Sequence, residues 1–225
     1  MSDILFLGRH DCQYSDRAAV FLEEIGFNIS YIKSKFRNEI LPKDINEWQG
    51  KYILCFRSFF VLPIEVINRA SVAAINFHPG PPEYPGSGCI NFALYDDVKQ
   101  YGVTAHLMTN IIDSGQILEC SRFSVAKSDN IDSLLIKTHE QLFNLFCSFC
   151  KNLYKVNENF LEMKIKDAKT EKWKGAAKKI SELERFQIIE PSITKEELNK
   201  RIRAFHTNKY PLQMKIHGKN FYLKK

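Results

Sequence analysis

The sequence predicts an α/β fold: a Rossmann-like, mostly parallel sheet with helices on both faces, then a small C-terminal helix and β-hairpin. Three observations carry this. Through the first half of the chain, apolar runs of strand length alternate with helical patterns, as right-handed βαβ crossovers onto a parallel sheet require. One long helical periodicity fills residues 130–154. The last residues, from Gln213 to Leu223, read as two short strands around Gly218.

Taken in order, Ile4 to Leu7 is an apolar strand followed by Gly8. Ser15 is placed to cap a helix that runs through Ala18, Ala19, Phe21, Leu22 and Ile25 to Gly26. Asn28 to Ile32 alternates as a strand does, and Tyr52 to Phe56 is a third strand. After Pro63, Ile64 to Arg69 is a short helix, and Val72 to Phe77 a buried fourth strand. Two more strands follow, Gly102 to Met108 and Gln116 to Val125. The helix from Asn130 to about Tyr154 repeats its apolar residues at Leu134, Leu135, Leu142, Phe143, Leu145, Phe146 and Phe149. Thr194-Lys195-Glu196-Glu197 has the capping-box pattern of a helix start. No repeat or low-complexity tract interrupts the chain.

Composition excludes several classes. With 225 residues, 44% of them hydrophobic and 26% charged, the chain is neither disordered nor collagen-like. No apolar run approaches the ~18 residues that span a bilayer. Ile4 to Leu7 is too short for a signal-peptide core and has no basic segment before it. The expected location is cytoplasmic, without a membrane partner. In that reducing compartment the six cysteines are expected as thiols. Cys147 and Cys150 lie on one face of the long helix among apolar neighbours, as structural cysteines do. A zinc knuckle needs a second such pair, so no metal is expected. From residue 164 onward there are 17 Lys+Arg against 7 Asp+Glu. These lysines are interleaved with Glu, and the aromatics are not spaced as an RNA-stacking platform. Solvated helix faces account for them, with no nucleic-acid partner.

The chemistry concentrates in Asn76-Phe77-His78-Pro79-Gly80-Pro81-Pro82-Glu83-Tyr84-Pro85-Gly86-Ser87-Gly88, a loop stiffened by four prolines. It leaves the carboxyl end of a strand, where open α/β sheets bind ligands. Asn76 and His78 are two residues apart on that strand, so their side chains point the same way. Ile111-Ile112-Asp113-Ser114-Gly115 sets an acid in a second tight turn. An amide donor, an imidazole and a carboxylate at one sheet edge suit acyl transfer to an amine: oxyanion stabiliser, base and base-orienting acid. No G-x-S-x-G elbow is present, which argues for direct transfer without a covalent intermediate. On the residues alone, His78 reads equally as a structural histidine and Asp113 as a turn cap.

The Asn-x-His-Pro strand end, the Pro-Gly turn after Tyr84, Gly102-Val103-Thr104-Ala105-His106 and Asp113-Ser114-Gly115 resemble the formyltransferases that take one carbon from N10-formyltetrahydrofolate. Gly8-Arg9-His10-Asp11-Cys12-Gln13-Tyr14-Ser15, the His-Pro-Gly-Pro-Pro-x-Tyr loop and Ile202-Arg203-Ala204-Phe205 with Tyr210-Pro211 are similar to the sugar-nucleotide N-formyltransferases, most like the dTDP-amino-dideoxysugar branch. The likeness covers nearly the whole chain, more loosely at residues 30–50 and 125–190. It implies a catalytic domain over residues 1–185 and a small subdomain over 186–225. It makes Asn76, His78 and Asp113 the catalytic trio, with formylfolate as co-substrate and no metal.

The resemblance also implies two pockets meeting at His78. The pterin is expected against Ser58, Phe59, Phe60 and Val61, and against the turn from Ile111 to Gly115; one of the two phenylalanines is expected in the core. The nucleotide diphosphate is expected at the start of the first helix, where unbonded N–H groups favour an anion. Arg9 and Ser15 are its side-chain candidates, with Cys12 and Tyr14 beside them; Arg9 also reads as a surface ion-pairing residue. Pro79, Gly80 and Tyr84 are expected near the sugar, Tyr84 either covering it or bracing the loop. The C-terminal hairpin is expected to form a homodimer near the base, with Phe205, Tyr210 and Phe221 as interface, stacking or core residues. The expected acceptor is dTDP-4-amino-4,6-dideoxyglucose, made for a surface polysaccharide such as an O-antigen. The 3-amino isomer and a non-catalytic nucleotide-sugar module are the alternatives. A tRNA-directed formyltransferase fits less well, because the roughly 35 residues after Pro191 are too few for a β-barrel. A purine-pathway enzyme has a Gly-rich phosphate loop where this chain has Arg9-His10-Asp11-Cys12.

Overall fold

Six strands form the main sheet of the computed structural model, which describes residues 2–167 and 171–224. They are β1 (Ile4–Arg9), β2 (Ile29–Ser34), β3 (Gly50–Phe56), β4 (Ala70–His78), β5 (Gln100–Leu107) and β6 (Ile117–Ser124). Their spatial order is β2-β1-β3-β4-β5-β6. The first four are parallel, whereas β5 and β6 are antiparallel to their neighbours. The chain goes from β1 to β2 on one side and then crosses to β3 on the other. The carboxyl ends of β1 and β3 therefore flank a topological switch point, the crevice where such sheets bind ligands. β4 is the seam between the parallel and antiparallel halves.

The helices are α1 (Gln13–Glu24), α2 (Lys43–Glu47), α3 (Ile64–Ile67), α4 (Cys89–Tyr95), α5 (Ile131–Val156), α6 (Glu158–Asp167), α7 (Ile180–Gln187) and α8 (Lys195–Phe205). Asn130 and Ser133 start α5 with a reciprocal capping box. Its apolar stripe lies across the sheet: the Phe146 ring meets those of Phe6, Phe56 and Phe77 at centroid distances of 5.6, 5.1 and 4.8 Å. Cys150 is buried in the same cluster, with Cys147 packed against it. All six cysteines are thiols. On the opposite face, Leu5, Leu7, Ile53 and Cys55 pack with Ile45, Val66 and Ile67 from α2 and α3. Each fully buried side chain of this size contributes on the order of 1.5–3 kcal/mol.

A second cluster joins α4 to α7 and α8. Phe186 stacks on Phe205 at 4.8 Å and 13°. The Asn91 amide donates to the Ala204 carbonyl at 2.6 Å, and the Tyr95 hydroxyl donates to Glu197 at 2.9 Å. Beyond them, β7 (Gln213–Ile216) and β8 (Lys219–Tyr222) form the expected hairpin. Its turn takes positive φ at both His217 (48°) and Gly218 (74°), the twist a two-residue hairpin favours.

The structure corrects the sequence reading at several elements. Helix α1 starts at Gln13 with Cys12 in the N-cap position, not at Ser15. Ser15 is instead fully buried, its hydroxyl accepting the Arg9 N–H and donating to the Phe56 carbonyl. It ties β1 to β3 and is closed off from solvent. Helices α2, α4, α6 and α7 were not anticipated. α4 is apolar on nearly every side, so it lacks the polar stripe that marks an amphipathic helix. α6 is split from α5 by Asn157, which takes φ 56°. No described helix is long and apolar enough to cross a membrane.

Candidate active site

β4 ends at His78, so strand alternation puts Asn76 and His78 on the same side at the seam. The following loop is pinned from β5: the Tyr101 hydroxyl donates to the Pro79 carbonyl (3.0 Å) and Thr104 Oγ1 to the Gly80 carbonyl (2.8 Å). A Cβ on Gly80 would lie 2.6 Å from His78 Nε2, so only glycine lets the loop pass the imidazole this closely. Asp113 reaches the same place from the other turn, in a left-handed conformation (φ 46°). Its Oδ2 lies 3.1 Å from His78 Nδ1 and accepts the Gly86 N–H at 2.7 Å. Its Oδ1 lies 3.3 Å from His106 Nε2 and 3.5 Å from Asn76 Nδ2. The Cβ position of Gly115 is filled by the Leu107 carbonyl, which locks the turn against β5.

The three groups expected from the sequence are thus brought together, with His106 as a fourth. Asp113 is 8% and His78 3% exposed. Burial works to raise the Asp113 carboxyl, but His78, His106 and the Gly86 N–H outweigh it and hold it at about 2. For His78, burial dominates and pushes the imidazole below its ordinary value, against the pull of Asp113. At neutral pH the pair is therefore a carboxylate beside a neutral imidazole. Both ring nitrogens face acceptors, since Nε2 lies 3.0 Å from the Tyr84 carbonyl. Nε2 meets the Tyr84 carbonyl in hydrogen-bond geometry and Nδ1 lies in ion-pair range of the Asp113 carboxylate, so an imidazolium formed here is stabilised at both nitrogens. A neutral base whose conjugate acid is stabilised in place, beside a side-chain amide donor, is equipped for acyl transfer to an amine.

Comparison with known proteins agrees with this geometry. A family model described as "Formyl transferase" matches residues 13–148, more than half of the chain. The chain belongs to the formyl transferase family. A methionyl-tRNA formyltransferase from Bacteroides thetaiotaomicron is 27% identical over 127 residues, 55% of this chain. The match spans only 38% of that relative's length. Among solved structures, a sugar N-formyltransferase from Shewanella superposes with a TM-score of 0.76 at 17% identity, covering 99% of this chain and 96% of the other. An N-formyltransferase from Helicobacter canadensis, in complex with folinic acid and dTDP-3-aminofucose, superposes with a TM-score of 0.70 at 16% identity, covering 97% and 85%. At these identities the superpositions establish the fold.

Within this formyl transferase, the remaining expected site residues divide. Val61, Ile111 and Ile112 are exposed, the last two just before Asp113 in its turn. Phe60 is buried among Leu62, Val66 and Ile67 and is core. Ser58 donates to Ser34 Oγ and accepts the Phe60 N–H, shaping the loop. Tyr84 does not cover a ligand: its ring is buried and its hydroxyl donates to Asp96 at 2.8 Å, so it braces the loop. Phe205 is also corrected, being fully buried between Phe92, Tyr95 and Phe186. Pairing aromatic rings in the second core outweighs exposing one for stacking. Tyr210 and Phe221 are exposed.

The switch-point crevice holds more than the sequence reading found. The Arg9 guanidinium lies 4.1 Å and that of Arg37 5.2 Å from the Phe59 ring centroid. Arg57, in a left-handed conformation (φ 59°), donates to Cys12 Sγ at 2.9 Å. Among the described residues no carboxylate pairs with Arg9, Arg37 or Arg57. Burial and then Arg57 and Arg9 press buried His139 down to about 3, so it stays neutral beside them. Tyr14 lies against His139, with ring centroids 5.5 Å apart. At Cys12, Ser15 and Arg57 outweigh burial and lower the thiol.

Trp173 was also missed. Its indole meets the rings of His78 (5.5 Å) and His106 (5.0 Å) edge-on, and its N–H donates to the Gly115 carbonyl at 2.7 Å. It lines a cavity of about 590 Å³ with Ser114, Gly115, Gln116, Ile117, Glu171 and Lys172. Arg122 and Lys174 clamp this segment through Glu83, whose carboxyl is held at about 2 by those two cations against burial.

Proposed function

We propose that the chain transfers a formyl group from N10-formyltetrahydrofolate to the amine of a dTDP-linked amino-dideoxysugar, with dTDP-4-amino-4,6-dideoxyglucose as acceptor. The product serves a surface polysaccharide such as an O-antigen, and the enzyme works in the cytoplasm. One observation carries the reading. Asn76, a neutral His78 and the Asp113 carboxylate converge at the end of β4, next to a turn whose exposed Ile111 and Ile112 suit a flat pterin. In the crevice at the ends of β1 and β3, Arg9, Arg37 and Arg57 have no carboxylate partner among the described residues, which suits a diphosphate. The Helicobacter canadensis complex, which holds a folate derivative and a dTDP-sugar on this fold, supports both ligand classes. Because that sugar carries a 3-amino group, it favours the 3-amino isomer as the second reading.

The uncharged sugar amine attacks the formyl carbon, and His78 takes its proton. Asn76 donates an N–H to the formyl oxygen as negative charge gathers there. Asp113 holds the resulting imidazolium. The carbon–N10 bond then breaks, its electron pair staying on N10, which gains a proton through the His78–Asp113 pair. Residues 186–225 complete the fold as a subdomain, and the exposed Tyr210, Ile216, Phe221 and Tyr222 supply a homodimer face.

The test offers the protein formylfolate with each amino-sugar isomer separately and reads the mass of the nucleotide sugar. A gain of one formyl group on either supports the reaction, and the faster isomer names the acceptor. No gain on either, with folate bound, moves the acceptor to another amine. A second expectation concerns the arginines. Arg37→Ala should weaken nucleotide-sugar binding about tenfold, through loss of one charge-assisted contact, and should flatten the salt dependence of Kd. Formylfolate binding should be unchanged. A proportional loss of folate affinity instead would put the folate tail, not the diphosphate, on these arginines.

A further inference from the structure

His139 stands on α5 seven residues before Phe146, two helical turns away on the same face. Phe146 packs on Phe56, the residue before Arg57. From there the His139 ring meets that of Tyr14, on the first turn of α1, with centroids 5.5 Å apart. His139 is only 9% exposed. Yet among the described residues neither of its ring nitrogens has a hydrogen-bond partner, and neither is sealed from solvent. A phenylalanine would fill the same place against Tyr14 without burying two unpaired polar atoms, which is costly. Packing therefore does not account for an imidazole here, whereas a group bound in the crevice does.

After burial itself, the influences on His139 are the charges of Arg57 and then Arg9. A protonated ring would be one more cation beside them. The neutral ring instead adds a directed N–H donor without adding repulsion. An anion drawn in by the two guanidiniums brings the missing acceptor. One arginine fork already matches a carboxylate, but a diphosphate has oxygens for both arginines and for a third donor.

We propose that His139 is a further ligand-binding residue of this crevice, donating its single N–H to a phosphate oxygen of the nucleotide diphosphate that Arg9 and Arg57 attract. This rests on the diphosphate part of the reading above and not on which amine is formylated. Tyr14 fixes the plane of the ring, and α5 joins the ends of β1 and β3 as a wall of the site.

The test measures binding of thymidine diphosphate, inorganic pyrophosphate and tetrahydrofolate, each alone, to the native protein, His139→Phe and His139→Gln. The first variant keeps a ring against Tyr14 and removes the donor; the second restores an N–H. His139→Phe should raise Kd about tenfold for both diphosphates, the loss of one charge-assisted hydrogen bond. His139→Gln should recover most of that loss, and tetrahydrofolate should bind all three proteins alike. The Tm of His139→Phe should equal or exceed the native value, because the nitrogens it removes have no partner in the protein; a lowered Tm would mark a structural histidine and overturn the proposal. In the native protein, pyrophosphate should shift the ring-nitrogen NMR signals of His139. Unchanged diphosphate affinity in His139→Phe, or unmoved signals with pyrophosphate bound, removes His139 and leaves the arginines as the diphosphate site. A loss of equal size for tetrahydrofolate also overturns the proposal. If the native protein binds neither diphosphate, the diphosphate reading falls and His139 with it.

Discussion

His78→Asn is expected to lower turnover by roughly 10²–10⁴-fold, the contribution of a positioned general base. Nucleotide-sugar and folate binding should persist, because the arginine crevice and the exposed isoleucines lie on other elements. The wild-type pH profile carries a second signature. Only neutral His78 accepts the proton, so kcat/KM rises with pH through its pKa and levels off above it. Burial pushes that pKa down, so the acid limb should lie below the ~6.5 of an ordinary imidazole. The variant should lack this limb while keeping any rise due to the amine. Stopped-assay rates from pH 4.5 to 9 read both effects; undiminished turnover would remove His78 as the base.

Asp113→Asn should be nearly as costly, roughly 10³–10⁴-fold in kcat, although the shape barely changes. Oδ2, the oxygen that takes the Gly86 N–H, lies 3.1 Å from His78 Nδ1. An asparagine can keep its oxygen in that place, but its NH₂ then faces Asn76 Nδ2 and His106 Nε2, and the negative charge that stabilises the imidazolium is gone. The substitution should also change acid stability. The native carboxyl sits at about 2, below its unfolded value near 3.9. Its charge therefore contributes stability, on the order of 2 kcal/mol, that is fully present above about pH 4 and lost as pH falls through about 2. Urea titrations at pH 7 and pH 3 should show the gap between the two proteins narrowing in acid. A gap that widens there contradicts the ion pair.

Much of this site was legible in sequence because strand periodicity is reliable at the end of a buried strand. Two residues apart on β4, Asn76 and His78 had to face the same way, and the Pro-rich loop had to leave from that edge. Asp113 was legible as an acid in a tight turn, but its approach to His78 depends on the antiparallel return of β5, which pattern alone does not fix. Ser15 misled because a serine before a helical run is ordinarily a cap. Here a cysteine takes that position and the hydroxyl crosslinks β1 to β3. Arg37 and Trp173 gave no periodic or motif signal. They reach the site from irregular segments, and a lone residue in a charged stretch looks like solvated surface until the tertiary fold is known. Likewise α4 is apolar all round, and short apolar runs do not distinguish helix from strand.

The strap from Glu171 to Lys178 has a consequence for the order in which this enzyme is made. Trp173 closes on the two histidines, Lys174 bonds to the Pro82 carbonyl, and Lys178 exchanges backbone hydrogen bonds with Pro85 and Ser87. Every group proposed to react is encoded by residue 113, yet Trp173, which closes on the two histidines, lies some sixty residues downstream. A nascent chain leaving the ribosome can thus pair β4 with β5 and assemble the base and its acid while the pocket still stands open. Activity should appear on the ribosome only after this strap has emerged, tens of residues after the sheet itself can form.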